Sequence, residues 1–263
     1  AQSEGTASSQ EGIFDGEGVA SQPEETPKGG EAAVPSHSEN DVEADSVESS
    51  TLPETPSLQG EEMPVESEAV DDSYFDDAAF IGNSRTQGLM LYTGLQNATF
   101  YTAQGLMVDT FFTKEVVGSG ESKQTIPDAM KQQNFKKVYI MLGINELGWS
   151  YEDVFIQKYG ELVDEVKRLQ PETTVFVQSI LPVSKAKSDR DKVYNNPRID
   201  RYNELIQEMA GEKGAVYLNV AEAVGLDGGA LPEEASTDGV HLNKEYCVKW
   251  LDYLKQHTGV QPG

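Results

Sequence analysis

Cysteine and basic residues are scarce in this chain, and each shortage excludes a class of protein. The 263 residues include a single cysteine, Cys247, so an internal disulfide framework is excluded. Lys and Arg number 20 against 45 Asp and Glu, which gives a formal net charge of −25 at pH 7. A nucleic-acid-binding protein needs a basic face. We therefore expect no nucleic-acid partner.

Long apolar runs are also missing. No stretch reaches the ~20 residues that a membrane-spanning helix needs, and no signal peptide is visible. We therefore expect no transmembrane span, and we expect any export signal or anchor to lie outside this sequence. No set of His, Cys, Asp and Glu has the spacing of metal ligands, and no glycine-rich phosphate loop occurs. Neither a metal nor a cofactor is expected.

Acidic charge, which the chain has in excess, is concentrated at one end. The first 77 residues hold 21 acidic residues and one basic residue, whereas the remainder holds 24 acidic and 19 basic. Residues 1–72 are rich in Ser, Glu, Pro and Gly without hydrophobic periodicity, a composition that predicts a disordered acidic spacer. Such a spacer would hold a domain away from a surface; the alternative is a solubilising tail. We expect one folded domain over residues 73–263.

From residue 78 onward, apolar segments of strand length alternate with helical patterns. This alternation predicts an α/β domain whose parallel sheet is covered by helices on both faces. In such sheets, ligands bind outside the carboxyl ends of the strands. The predicted strands are 78–81, 98–103, 137–143, 173–181 and 215–220, the predicted helices are 85–92, 126–133, 155–169, 199–209 and 243–257, and residues 182–196 are predicted to be a polar loop.

Residues that follow the strands carry the candidate chemistry. Ser84 comes after the first strand at the start of a helix, where free backbone N–H groups favour developing negative charge. The alternative is a helix N-cap without a catalytic role. Asp238 precedes His241 by three residues, so its carboxylate can reach the imidazole Nδ1–H and leave Nε2 free to accept a serine proton. The alternative is a turn capped by Asp238.

Four short blocks, taken in chain order, resemble those of the SGNH hydrolases, also called the GDSL esterase family. The resemblance covers residues 80–257. It implies a three-layer α/β/α, flavodoxin-like domain with a five-stranded parallel sheet in the order 2-1-3-4-5. The blocks are Gly82-x-Ser84, Gly105, Gly143-x-Asn145-Glu146 and Asp238-x-x-His241.

The same resemblance implies a role for each block. Ser84 would be the nucleophile and His241 the base, with Asp238 orienting the imidazole. The backbone N–H groups of Ser84 and Gly105, together with the side-chain amide of Asn145, would form the oxyanion hole. The chain departs from the family's usual pattern at two positions.

Asn83 and Glu146 both stand where the family usually has Asp. Asn83 keeps the shape of Asp and loses a charge, and Glu146 is one methylene longer. Neither change removes a group that the mechanism consumes. We therefore expect an active enzyme.

The resemblance implies a serine esterase that works through an acyl-enzyme on a small ester or an acylated glycan. Few connections are long enough to form a lid, which favours short acyl groups, such as O-acetyl on carbohydrate or cell-wall glycan. Trp149 and Tyr151 could line a substrate pocket, or could be ordinary core or surface aromatics. The alternatives are a non-catalytic carbohydrate-binding module and an O-acyltransferase with the same residues. We expect a monomer that is extracellular or displayed on a bacterial surface.

Overall fold

The predicted strands form one parallel sheet in the computed structural model, which describes residues 68–225 and 229–258. The strand order is β2-β1-β3-β4-β5, which confirms the order that the family resemblance implies. The predicted spacer, 1–72, lies almost entirely outside the described residues. The strands are β1 (Ala78–Gly82), β2 (Thr99–Thr102), β3 (Lys137–Met141), β4 (Thr174–Gln178) and β5 (Val216–Leu218).

Helices connect successive strands, as the alternating pattern predicts. Short 3₁₀ segments at Ile144–Glu146 and Glu233–Ala235 lie in the loops that lead toward the candidate site. Three more lie at Asp72–Phe75, Thr110–Phe112 and Gly120–Ser122. The α-helices are α1 (Ser84–Thr93), α2 (Ile126–Met130), α3 (Glu152–Leu169), α4 (Lys185–Arg190), α5 (Asn196–Glu212), α6 (Ala221–Val224) and α7 (Lys244–Gln256).

Helix α4 corrects the prediction that residues 182–196 form a loop throughout. The Ser184 hydroxyl accepts the main-chain N–H of Lys187 at 3.2 Å and so caps the helix. An ion pair between Lys187 and Asp191, four residues apart, adds support at 2.9 Å. None of the helix residues is buried, so the segment has no apolar stripe from which a helix could be predicted.

Alternate side chains of the strands pack against different helix layers. In β3, Val138 and Ile140 join the core cluster that contains residues of α2, α3 and α5. Tyr139 and Met141 face the other way and join the cluster that contains residues of α1 and α7. All four side chains are buried, because both faces of a parallel sheet are covered. The fold is therefore a three-layer α/β/α sandwich.

Four aromatic rings stack across the sheet on the α1/α7 face. Phe80 pairs in register with Phe100 and with Tyr139, and its ring lies 4.8 Å from each of theirs. Tyr139 pairs with Phe176, at 4.6 Å between ring centroids. The ladder fixes the register of four adjacent strands. Their carboxyl ends, and the loops that follow them, are thereby brought to one edge of the sheet.

Candidate active site

Ser84 is the first residue of α1, at a sharp corner after β1. An ideal Cβ on Gly82 would lie 2.6 Å from Thr86 Cβ and 2.9 Å from the main-chain oxygen of Met141, so only glycine lets the helix begin this close to the sheet. Asn83 Oδ1 accepts the main-chain N–H of Arg85 at 3.0 Å and caps α1. The turn thus places the Ser84 hydroxyl at the carboxyl edge of the sheet.

The Asp238 carboxylate is held by its own loop. Its Oδ1 accepts the main-chain N–H groups of Val240 and His241 at 2.9 and 2.8 Å and the hydroxyl of Ser236 at 3.0 Å. Partial burial acts to raise the pKa of Asp238. The hydrogen bonds that the carboxylate accepts, of which the bond from the His241 ring has the largest effect, outweigh burial and hold the pKa well below its usual range. The group is therefore a carboxylate at neutral pH.

His241 joins that carboxylate to the serine. Its Nδ1 lies 2.7 Å from Asp238 Oδ2, and its Nε2 lies 2.9 Å from Ser84 Oγ. With Nδ1–H donated to Asp238, Nε2 is left as the acceptor for the Ser84 hydroxyl. The side chains of His241 and Asp238 are 50% and 52% exposed. The fold thus brings together the three residues predicted as a triad, although Ser84 and His241 are 157 residues apart in the chain. The site is open to solvent.

Gly105 and Asn145 lie on the loops that flank this corner. The last residue of β1, Gly82, pairs in register with Thr102 of β2 and Met141 of β3, so the loops after these strands begin on either side of Ser84. Gly105 has φ +68°, in the left-handed region that favours glycine. Asn145 Nδ2 donates to the main-chain oxygen of Leu106 at 3.0 Å and keeps its second N–H for another acceptor.

Glu146, the residue after Asn145, bridges the same two loops from inside. Its side chain is fully buried, and its two carboxylate oxygens accept main-chain N–H groups of Val108 at 2.8 Å and Gly143 at 3.1 Å. Burial raises the pKa of Glu146 to about 7, against the opposing effect of these hydrogen bonds. This bridging role was not predicted from the sequence. The available signal was an acidic residue two positions after Ile144 and directly before Leu147, in the turn after a buried strand.

Arg85 is a second residue that the sequence analysis missed. It follows Ser84 directly, and it is only 3% exposed. Its Nη1 donates to the main-chain oxygen of Leu181, and its Nη2 donates to that of Pro182 at 3.2 Å. The signal was a cation on the buried side of a strand–turn–helix segment, without an acidic residue three or four positions later on α1.

Trp149 and Tyr151, the predicted pocket aromatics, come just after the Asn145 turn. Trp149 is half-buried against the core cluster that contains residues of α2, α3 and α5, and its main-chain N–H donates to the main-chain oxygen of Glu146 at 2.8 Å. Tyr151 precedes α3 and is 69% exposed. Their part in substrate binding stays a prediction.

A polar cavity of about 350 Å³ adjoins Asp238. Another cavity, of about 520 Å³, lies at α5 and β5 and includes none of Ser84, Asp238 and His241. Within residues 68–225 and 229–258, no group of three or more His, Cys, Asp or Glu side chains could hold a metal ion. Within the same ranges, every helix is too short or too polar to cross a membrane. The cavity of about 350 Å³ beside Asp238 is lined by Ser184, Ala186, Lys187, Arg190, Asp191, Glu233, Ser236, Thr237, Asp238 and Gly239.

Comparison with known families identifies the family of the chain. The sequence model of the GDSL-like lipase/acylhydrolase family matches residues 80–245, more than half of the chain. The chain belongs to this family. The match runs from β1 into α7, so it includes Ser84, Asn145 and His241, and it confirms the resemblance drawn from the four blocks. Ester hydrolysis is accordingly the class of activity that membership supports.

Solved structures show the same fold at low sequence identity. A Streptococcus pneumonia protein whose name refers to platelet activating factor is 20% identical, with a TM-score of 0.55 over 70% of this chain and 89% of that one. A GDSL-like lipase from Bacteroides thetaiotaomicron is 16% identical, with a TM-score of 0.51 over 70% and 86%. An acetylxylan esterase from Geobacillus stearothermophilus is 15% identical, with a TM-score of 0.50 over 76% and 98%. No curated protein sequence matches the chain.

Proposed function

We propose that this family member is a serine esterase that removes short acyl groups, O-acetyl above all, from carbohydrate through an acyl-enzyme. The observation that carries the proposal is the continuous chain of contacts from Ser84 Oγ through His241 to Asp238, at 2.9 and 2.7 Å. A nucleophile, a base and a group that orients the base are the parts that covalent acyl transfer needs.

The first half of the reaction forms the acyl-enzyme. Ser84 Oγ attacks the ester carbonyl carbon as His241 Nε2 takes the hydroxyl proton. The main-chain N–H groups of Ser84 and Gly105 and the free N–H of Asn145 would stabilise the oxyanion. His241 then gives its proton to the leaving alcohol oxygen as the C–O bond breaks. Asp238 stays ionised throughout and stabilises the imidazolium.

The second half regenerates the enzyme. A water molecule loses a proton to His241 Nε2 and attacks the acyl carbon. The bond to Ser84 Oγ breaks, the serine recovers the proton, and the carboxylic acid leaves. Because the side chains of His241 and Asp238 are about half exposed, we expect water to reach the acyl-enzyme without a gating motion.

A polar alcohol part of the substrate fits the cavity beside Asp238 better than a lipid does. The cavity beside Asp238 is lined by hydroxyl, carboxylate, amine and guanidinium groups, with Ala186 as its one apolar side chain. Such a lining suits the hydroxyl groups of a sugar. The exposed ring of Tyr151 could stack on a sugar face. We also extend to this chain the substrate class named for the acetylxylan esterase, an acetylated carbohydrate.

We also propose a location for the protein, and we propose that it has no partner other than its substrate. The acidic, Pro- and Ser-rich composition of residues 1–72 supports display at a bacterial cell surface, where acetylated glycans are available. We propose a monomer that needs neither metal nor cofactor.

A panel of esters tests the function. We would measure hydrolysis of p-nitrophenyl acetate, butyrate and octanoate and release of acetate from acetylated xylo-oligosaccharides, with Ser84→Ala as the matched control. The expected result is fastest turnover of acetyl esters and none by the variant. Transfer of acetyl to an added sugar in preference to water would favour the acyltransferase. Binding of the oligosaccharide by a folded parent that hydrolyses nothing would favour the carbohydrate-binding module.

A further inference from the structure

The guanidinium of Arg85 is an expensive group to bury without a carboxylate partner, and it lies next to the nucleophile. Its two hydrogen-bond acceptors are neutral main-chain oxygens, those of Leu181 and Pro182. Its Nε has no hydrogen-bond partner among the described residues. Burying a charge costs free energy unless something compensates it. A cation kept in this position therefore calls for a specific benefit.

Asp238 is the charged group that acts on this cation. Burial lowers the pKa of Arg85 to about 10, and the negative charge of Asp238 acts in the opposite direction. The guanidinium therefore stays protonated at neutral pH, and its positive charge is attracted to the carboxylate that orients His241. A charge that opposes the cost of burying Arg85 thus belongs to the candidate triad.

The carbonyl groups that Arg85 fixes lead directly to the loop of Asp238 and His241. Pro182 is followed closely by Ser184, whose main-chain N–H donates to the Gly239 oxygen at 2.9 Å. Gly239 follows Asp238, and an ideal Cβ on it would lie 2.7 Å from Ser184 Oγ, so the two segments are in close contact. Arg85 therefore connects the helix that begins with the nucleophile to the loop that carries the base.

We propose that Arg85 is a positioning residue, which holds the Asp238–His241 loop in register with Ser84 by fixing the 181–184 segment and by opposing the charge of Asp238. The proposal rests on the function proposed above. A guanidinium suits this role because its planar fork donates to two carbonyl groups at once, whereas an ammonium acts as a point charge. Arg85 itself contacts no reacting atom.

The test compares two substitutions at Arg85 with a matched control on the opposite edge of the sheet. Arg85→Gln removes the charge, and Arg85→Lys keeps the charge but not the fork. Lys167 is the control because its ammonium donates to two successive main-chain oxygens, those of Lys213 and Gly214, at 2.5 and 2.7 Å, before β5 begins. We would measure kcat and KM with p-nitrophenyl acetate, the rate of Ser84 labelling by a fluorophosphonate, and the circular dichroism and Tm of each protein.

We expect Arg85→Gln to lower kcat by about tenfold or more with a smaller change in KM, because a small misplacement of the base costs rate rather than binding. Labelling should slow in parallel, since it needs the same base and no particular substrate. Arg85→Lys should be intermediate, and Lys167→Gln should keep the kcat of the parent. Failure of the proposed function would be visible in the parent, as absent turnover and labelling.

A folded Arg85→Gln whose kcat and labelling rate stay within about twofold of the parent would overturn the proposal. If Arg85→Gln does not fold, Arg85→Lys decides: a folded variant with reduced kcat supports positioning, and one with parental kcat overturns it. If neither variant folds, or if Lys167→Gln loses as much kcat, Arg85 serves the stability of the fold alone and the proposal is wrong.

Discussion

The side-chain amide of Asn145 donates to the main-chain oxygen of Leu106 at 3.0 Å, which joins the two loops that carry the proposed oxyanion donors Gly105 and Asn145. Leu106 follows Gly105, so one contact fixes the orientation of the amide and the position of the glycine loop. Glu146 makes a second link through Val108 at 2.8 Å. Donors held in place before the substrate arrives need no reorganisation during the reaction, which is the condition for strong stabilisation of an oxyanion.

Removal of the Asn145 amide should therefore cost rate more than binding. We expect Asn145→Ala to lower kcat by roughly a hundredfold or more, about 3 kcal/mol, with a smaller change in KM. Steady-state kinetics with p-nitrophenyl acetate measure both. Asn97→Ala is the control, because Asn97 also donates to a main-chain oxygen, that of Asp72 at 2.6 Å, but precedes β2 at the other edge of the sheet. Parental kcat in Asn145→Ala would show that this amide does not contact the oxyanion.

Asn83 should be able to replace the usual Asp with little loss of activity. It is fully buried, its Oδ1 caps α1, and its Nδ2 has no partner among the described residues. An Asp here would keep the cap, and its charge would face the N-terminus of α1. We expect Asn83→Asp to change kcat/KM by less than about tenfold, or 1.4 kcal/mol. An inactive parent that Asn83→Asp restores would mean that this chain keeps the fold of the family without its catalysis.

Glu146 should make the stability of the fold depend on pH. Its pKa is about 7 in the folded chain, against an ordinary value of 4.5. Between pH 4.5 and pH 7, Glu146 is ionised in the unfolded chain but still largely protonated in the folded chain. The free energy of unfolding therefore falls as the pH rises, by up to about 3 kcal/mol at pH 7. The stabilisation that comes from burying Glu146 in its neutral form is fully present below pH 4.5. Glu146→Gln removes this slope.

Urea unfolding of the parent and of Glu146→Gln at pH 5 and pH 7.5 measures that slope. The free energy of unfolding of the parent, minus that of the variant, should be smaller at the higher pH. An equal difference at both pH values would mean that Glu146 is already ionised at pH 5 and that the N–H groups of Val108 and Gly143 stabilise its charge.

The sheet and the contacts among Ser84, His241 and Asp238 could be predicted from the sequence because short local patterns encode them. Buried strands of a parallel sheet are apolar at successive positions, as in β3. The three-residue spacing between Asp238 and His241 fits within one turn of the chain. The block pattern then supplied the order of the strands, which the structure confirms. Helix α4 could not be predicted in this way, since capping and ion pairs stabilise it rather than an apolar face.

The residues that support the site could not be predicted, because their partners are distant in the chain. Arg85 donates to an oxygen 96 residues away, and Glu146 accepts from an N–H group 38 residues away. Only the fold brings these groups together, and a single sequence has no pattern that marks them. The assignment of Trp149 and Tyr151 to the substrate pocket stays a prediction for the same reason.

Covalent labelling of Ser84 tests the central claim most directly. We would treat the folded parent and Ser84→Ala with a fluorophosphonate probe and locate the adduct by peptide mass spectrometry. The account predicts one adduct per chain, on Ser84, with loss of esterase activity in step with labelling and no adduct on the variant. A folded parent that hydrolyses acetyl esters while Ser84 stays unlabelled, or a Ser84→Ala protein that keeps parental activity, would contradict it.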